Sequence, residues 1–181
     1  MNRSTPGQPA MLGGTRTATV IEKPAVLAAL VRRSVRPLLV VGHRALLFGG
    51  DGELAVDLLA RWALRGSIPV AATGDTAPAL RNRGVEPARC VSAVNLAQRL
   101  VDPGWTGIDG AGPHDVVFIA GLSYALEWTL LSGLRHGTAP LVTVSLSPAY
   151  EPHASFSLPN LSWSDWRSLI IEALDLGEET P

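Results

Sequence analysis

Short apolar runs alternate along this chain with longer segments in which apolar residues recur every three or four positions. A run that is almost entirely apolar and ends at Gly or Ser is typical of a strand buried on both faces of a sheet. Four such runs predict core strands, at residues 36–42, 68–74, 115–121 and 141–145. The β-branched stretch at residues 17–21 is a shorter candidate strand.

The segments between these runs have the apolar spacing of helices. This spacing predicts helices at residues 24–34, 53–65, 93–100 and 124–136, a final helix from the cap Ser162 to about residue 176, and weaker helical character at 77–83. Strands that alternate with helices predict a parallel sheet covered by helices on both faces and joined by right-handed crossovers.

The length of the chain, 181 residues, is sufficient for one α/β domain and small for two. We therefore expect a single domain at residues 17–176. Residues 1–16 are rich in Gly, Pro, Ser and Thr and are expected to form a flexible N-terminal arm. Residues 177–181 are expected to form a flexible tail.

Composition narrows the choice of partners. Hydrophobic residues make up 46% of the chain and charged residues only 17%, a balance that favours contact with other subunits. The net charge of −1 argues against binding to nucleic acid or to a membrane surface. The apolar runs are far shorter than the roughly 20 residues that span a bilayer. The first residues also lack the pattern of a secretory signal, so we expect a cytoplasmic protein.

Cys90 is the only cysteine in the chain. A cubane iron–sulfur cluster takes four thiolates, and a structural zinc site usually takes several Cys or His residues at short spacing. The four histidines are scattered and form no short-spaced ligand pair. The sequence therefore predicts no metal site in this chain.

Candidate binding residues directly follow the predicted strands, because ligands of open parallel sheets bind beyond the carboxyl ends of the strands. Glycine at such a position permits close approach to a ligand, and it equally well ends a strand in a tight turn. A histidine there could act as a base, bind phosphate or hydrogen-bond its own loop. Neither G-x-G-x-x-G nor G-x-x-x-x-G-K-[ST] is present to support a phosphate-binding loop. The candidates are Gly42, His43, Gly74, Gly121, Ser123 and Ser145.

A long loop at residues 102–113 is dense in turn-forming residues and precedes a predicted strand. We therefore expect it at the edge of the sheet opposite the ligand crevice. Trp105 within it is either a plug on the core or an aromatic anchor for a partner. His153 lies between proline-rich turns and is expected to be an exposed structural residue. Ser123 lacks the second glycine of the G-x-S-x-G nucleophile motif, which argues against a hydrolase.

The same loop carries a family resemblance. Residues 102–115, DPGWTGIDGAGPHD, resemble the signature D-P-x-W-x-G-x-D-G-x-G-P-Y-D of the epsilon subunit of archaeal-type carbon monoxide dehydrogenase/acetyl-CoA decarbonylase/synthase complexes. The apolar run at 36–42 and the tripeptide Pro-Asn-Leu at 159–161 resemble further parts of that family. The resemblance extends over about residues 17–175, and His114 stands where the signature has an aromatic residue.

The resemblance implies a Rossmann-like three-layer α/β sandwich of the kind found in flavin- and nicotinamide-binding domains. It also implies an accessory subunit beside an alpha subunit that carries nickel and iron–sulfur clusters. Such a subunit is expected to stabilise the alpha subunit or to help electrons reach a flavin, with FAD or another dinucleotide as the candidate cofactor. The alternative is a flavin- or nicotinamide-nucleotide-binding domain that carries a redox cofactor itself. A homo-oligomer is a further arrangement that the sequence leaves open.

Overall fold

The computed structural model describes residues 17–137 and 140–177, so the arm predicted at residues 1–16 and all but Gly177 of the predicted tail lie outside the described residues. Within the described ranges the chain forms six α-helices and nine β-strands. The helices are α1 (Pro24–Arg33), α2 (Ala55–Arg65), α3 (Thr76–Arg81), α4 (Ala93–Leu100), α5 (Tyr124–Arg135) and α6 (Trp163–Asp175). The strands are β1 (Thr19–Val20), β2 (Pro37–Val41), β3 (Gly49–Gly50), β4 (Glu53–Leu54), β5 (Val70–Ala72), β6 (Arg89–Cys90), β7 (Val116–Ala120), β8 (Val142–Ser145) and β9 (Phe156–Ser157).

Seven strands form one sheet in the order β1-β9-β8-β7-β2-β5-β6, and every pair in it is parallel. Apart from the edge strand β1, the strands follow the 3-2-1-4-5-6 order of doubly wound dinucleotide-binding folds. The two halves of that order meet between β2 and β7, which pair from Pro37 with Val116 to Val41 with Ala120. The predicted Rossmann-like fold is confirmed, and its topological switch point lies at the ends of these two strands.

Helices cover both faces of the sheet, as the alternating pattern predicts. Four helices, α1, α2, α3 and α6, pack on one face, and α4 and α5 pack on the other. Successive residues of β2 point to opposite faces, so Leu39 joins the first core cluster and Leu38 the second. Because both faces are covered, the two central strands, β2 and β7, are apolar at every position, which is the pattern that their sequence shows.

Short strands account for the differences between the predicted and observed elements. The helix predicted to begin at residue 53 begins at Ala55, because Glu53–Leu54 pairs with Gly49–Gly50 in a small antiparallel hairpin. Its two turn residues, Asp51 and Gly52, both have positive φ, as a tight hairpin turn requires. The two-residue strands β6 and β9 were not predicted, because a strand of two residues has no measurable periodicity.

The loop at residues 102–113 lies at the amino edge of the sheet, where it was expected. Arg36, just before β2, contacts Asp109 Oδ1 through Nη2 at 2.5 Å and donates from Nε to the Gly112 carbonyl at 3.2 Å. His114 accepts a hydrogen bond from the Ile108 amide at Nε2 (3.1 Å), and its Nδ1 lies 3.0 Å from the Arg36 carbonyl. Burial lowers the pKa of His114, so a neutral ring with Nδ1 as the donor satisfies both contacts.

Two aromatic positions were placed only by the structure. Trp105 is half-buried, packs against the second core cluster and lies 5.7 Å from the His114 ring, so it covers the core. The prediction that His153 is exposed is wrong. Its ring is buried edge-on against Trp128, with 4.6 Å between the ring centroids, because α5 closes over the turn between β8 and β9.

Candidate functional site at the carboxyl edge of the sheet

Backbone contact fills the base of the switch point between β2 and β7. The Gly42 amide donates to the Ala120 carbonyl at 2.8 Å, and the Arg44 amide donates to the Gly121 carbonyl at 2.8 Å. A Cβ atom on Gly42 would lie 2.4 Å from the Gly121 oxygen, and one on Gly121 would lie 2.6 Å from the Gly42 oxygen. Gly121 also has a φ of +75°. Both glycines are therefore required by the close approach of two backbone segments.

His43 and Gly74 belong to a separate, solvent-exposed part of this edge. His43 Nδ1 lies 2.7 Å from Asp75 Oδ1, and the two side chains are 54% and 67% exposed. The hydrogen bond from His43 lowers the pKa of the Asp75 carboxyl. Gly74, with a φ of +63°, makes the turn that presents Asp75. The hydrogen-bond partner of His43 is thus a side chain of the loop after β5 and not a group of its own loop.

A cavity of about 260 Å³ lies beyond the carboxyl ends of β7 and β8. Its walls come from the segments that follow these two strands, from the 3₁₀ turn His43–Leu46 after β2, and from α2 and α6. The walls are mainly apolar, and Arg44 and Glu151 are their charged side chains. The other lining residues are Ala45, Leu47, Phe48, Ala55, Leu59, Ala120, Gly121, Leu122, Tyr124, Leu146, Ser147, Pro148, Ala149 and Trp166.

Two fully buried carboxyl groups lie beside this cavity, and their surroundings differ. Glu127, on α5, accepts hydrogen bonds from the hydroxyls of Ser145 (2.6 Å) and Ser147 (2.5 Å). Burial raises the pKa of Glu127 to about 7, although both hydroxyls oppose the shift. Glu151 lines the cavity, and neither of its carboxyl oxygens has a hydrogen-bond partner among the described residues. Burial and the nearby Glu127 raise the pKa of Glu151 to about 9.

Because their pKa values differ, the two carboxyl groups have different protonation states at neutral pH. Glu151 keeps its proton, because no hydrogen bond or cation of the described residues compensates the cost of an ionised carboxylate there. Glu127 lies near its midpoint, with two hydroxyl donors ready to stabilise the anion. Glu151 therefore contributes a neutral carboxyl group, which has one donor and one acceptor, to a lining that is mainly apolar.

Glu151 is held in place by the backbone of the connection between β8 and β9. Its amide donates to the hydroxyl of Ser157 in β9 at 2.9 Å. The neighbouring Tyr150 donates from its hydroxyl to the Ala18 carbonyl at 2.9 Å, and its amide donates to the Asn160 side chain at 2.9 Å. The connection that carries the Glu151 carboxyl group is therefore anchored by hydrogen bonds to Ser157, Ala18 and Asn160.

Some of the predicted candidate residues lie at the cavity, and others lie elsewhere at the carboxyl edge of the sheet. Gly121 lines the cavity. Ser145 does not line it, but its hydroxyl donates to the same Glu127 carboxyl group as the lining residue Ser147. Ser123 precedes α5 without a side-chain cap hydrogen bond, and His43 and Gly74 do not line the cavity. Sequence reasoning missed Glu127 and Glu151. One signal existed for Glu127, which shares an inward helical face with Leu131 and Leu134, where a charged residue is out of place.

Three further observations concern the described residues outside the cavity. No group of three or more His, Cys, Asp or Glu side chains suited to a metal ion occurs in the part of the chain that the structure describes. Cys90 is exposed on the edge strand β6, away from the cavity. Among the described helices, none is long and apolar enough to cross a membrane.

Comparison with known proteins connects this architecture to a family. The sequence model of the family described as CO dehydrogenase beta subunit/acetyl-CoA synthase epsilon subunit matches residues 1–174. The chain belongs to this family. The resemblance seen in the loop at residues 102–115 is thereby confirmed.

Relatives within this epsilon-subunit family match over most of their length. The epsilon 1 subunit of the acetyl-CoA decarbonylase/synthase complex of Archaeoglobus fulgidus is 35% identical over 165 residues, which cover 89% of this chain and 85% of the relative. The epsilon subunit from Methanothermobacter thermautotrophicus is 30% identical over 167 residues, 91% of each chain. The epsilon 1 subunit of Methanosarcina barkeri is 30% identical over 162 residues, 90% of this chain and 91% of the relative.

Proposed function

We propose that this protein is an accessory subunit of a carbon monoxide dehydrogenase/acetyl-CoA synthase complex and that it stabilises the alpha subunit carrying nickel and iron–sulfur clusters. The family match over residues 1–174 carries the proposal, because the similar proteins are themselves epsilon subunits of such complexes. The single Cys90 supports an assisting role, since a cluster-bearing subunit needs several thiolates. The low charged fraction, 17%, supports extensive contact with a partner.

Co-expression with a family alpha subunit tests this proposal. We expect the two chains to elute together, and we expect the complex to retain carbon monoxide oxidation longer on heating than the alpha subunit alone, because a partner bound only to the native state slows its loss. Separate elution and equal half-lives of activity would refute the stabilising role.

Two exposed apolar residues provide matched variants that locate the contact. Val35 (84% exposed) lies at the amino edge of the sheet, and Leu47 (69% exposed) lies beside the cavity at the carboxyl edge. Because both side chains are exposed, Val35→Asp and Leu47→Asp should leave the isolated fold intact. The variant that loses co-elution identifies the edge that faces the alpha subunit.

A nucleotide cofactor that assists electron transfer is the second candidate function. The cavity beside the switch point favours it, because open parallel sheets bind ligands at this edge. A cavity of about 260 Å³ is smaller than the roughly 300–1,000 Å³ of sites for drug-sized ligands, so it suits one ring system of a dinucleotide such as FAD. Anaerobic mixing of the complex with carbon monoxide and FAD tests it. We expect faster bleaching of flavin absorbance than with the alpha subunit alone, and equal rates would exclude the assistance.

A further inference from the structure

The cavity has the size of a small fused ring system. An apolar cavity of about 150 Å³ accepts benzene. The volume here, about 260 Å³, is therefore enough for a bicyclic ring, and the apolar walls include the indole of Trp166. That indole is anchored, because its Nε1 donates to the Leu146 carbonyl at 2.7 Å. A planar ring would thus enter between fixed walls.

The carboxyl group of Glu151 determines which edge of a ring the cavity can recognise. Both of its oxygens are buried and lack partners among the described residues, and the side chain lines the cavity. A neutral carboxyl group forms two parallel hydrogen bonds with an edge that has an N–H donor next to a lone-pair acceptor. The amino group and adjacent ring nitrogen of adenine form such an edge, and so do the carboxamide of nicotinamide and the imide of a flavin.

We propose that Glu151 and this cavity form a recognition site for one planar heteroaromatic ring whose edge has adjacent N–H donor and acceptor groups, with bicyclic adenine as the best fit to the volume. The inference rests on the second candidate function and names the part of the cofactor that the cavity takes. The remainder of a nucleotide would leave through the mouth, where Arg44 and Leu47 are exposed.

Binding of adenosine to the full-length protein, followed by calorimetry and by tryptophan fluorescence, tests the site. We expect saturable binding that is at least about tenfold weaker for purine riboside, which lacks the amino donor; a tenfold change corresponds to the loss of about one hydrogen bond. Riboflavin and nicotinamide riboside form separate arms of the experiment. If either binds more tightly than adenosine and loses its binding in Glu151→Leu, the site is supported and its ring is a flavin or a nicotinamide instead of adenine.

Two substitutions at one position separate recognition from mere burial. Glu151→Gln keeps one donor and one acceptor and should retain binding, whereas the similarly sized Glu151→Leu removes both and should abolish it. Glu22→Gln, at an exposed position, is the matched control and should bind like the wild type. Thermal melting of Glu151→Leu at or above the wild-type temperature shows that its fold is intact. Binding that is unaffected by Glu151→Leu, or no binding of any of the three nucleosides, would overturn the proposal.

The pH dependence provides an independent readout. The groups that face Glu151 are Glu127 and Tyr124 on α5, with Arg44 across the cavity. Since the neutral form of Glu151 binds, wild-type affinity should fall about tenfold per pH unit above its pKa of about 9, and Glu151→Gln should lack this loss. If Glu151→Leu loses nucleoside binding but still co-elutes with the alpha subunit, ring recognition has been lost without loss of complex formation. A wild-type protein that binds no ring yet still accelerates flavin reduction overturns this inference and leaves the second candidate function standing.

Discussion

Replacing Glu151 by leucine should stabilise the ligand-free protein, and the gain should grow with pH. The pKa of Glu151 rises from an ordinary 4.5 to about 9 on folding, because its carboxyl group is buried beside Glu127. Above pH 4.5 the unfolded chain releases a proton that the folded chain keeps. The free energy of unfolding therefore falls as pH rises from there to about 9, and it levels off beyond that pH.

The magnitude follows from the pKa difference and from the missing hydrogen bonds. Each pH unit in this window corresponds to about 1.4 kcal/mol, so the advantage of Glu151→Leu should grow by about 2.5 kcal/mol between pH 5 and pH 7. The neutral carboxyl group has no hydrogen-bond partner among the described residues, which adds about 1–3 kcal/mol throughout the pH range in which it keeps its proton. Each kcal/mol corresponds to roughly 2–4 °C in melting temperature for a chain of this size.

Urea unfolding of wild type and Glu151→Leu at pH 5, 6, 7 and 8 measures both quantities. Glu22→Leu, which makes the same replacement at an exposed position, is the matched control. Parallel stability curves for Glu151→Leu and wild type would refute the reasoning, because they would show that Glu151 ionises alike in the folded and unfolded states.

Three further substitutions test the packing around the site and the loop. Gly121→Ala should lower the free energy of unfolding in urea by about 3 kcal/mol or more, because its φ is +75° and the new Cβ would lie 2.6 Å from the Gly42 oxygen. Gly52→Ala, at a position with similar φ and open space, should lower it by about 1 kcal/mol. Equal losses of stability would contradict the close approach. His114→Ala should lower the free energy of unfolding by about 2–3 kcal/mol, because it leaves the buried Ile108 amide unpaired. His43→Ala, in the exposed pair with Asp75, should change it by less than about 0.5 kcal/mol. A lower melting temperature for His43→Ala than for His114→Ala would be incompatible with these contacts. Trp166→Phe should cost about 1–3 kcal/mol by removing the hydrogen bond to Leu146, and an unchanged urea midpoint would argue that this bond contributes nothing.

Much of the fold could be predicted from local sequence. The central strands β2 and β7 lie within their predicted ranges, because burial on both faces makes every position apolar. The helix α4 has the predicted bounds, since its apolar face and its Ser92 cap are both encoded locally. The family could be recognised because the loop at 102–115 must satisfy closely spaced contacts with Arg36 and His114 within one short segment.

The candidate site could be predicted only in part. The rule that ligands of parallel sheets bind at their carboxyl edge directed attention to Gly121 and Ser145, which lie at or next to the cavity. The same rule selected His43 and Gly74, which belong to a separate exposed turn. Sequence order alone does not indicate which strand ends lie on the same side of the switch point.

The sequence by itself determined where the helices and the longer core strands form, and that one thiol is too few for an iron–sulfur cluster. Only the tertiary structure decided the strand order, the burial of His153 and the proximity of Glu127 to Glu151 beside one cavity. The physical reason is that periodicity and capping act over a few residues, whereas a pKa depends on all the groups that burial brings near the side chain. Glu127 and Glu151 lie on either side of β8 in the chain and come together only when α5 and the β8–β9 connection pack against the same edge of the sheet.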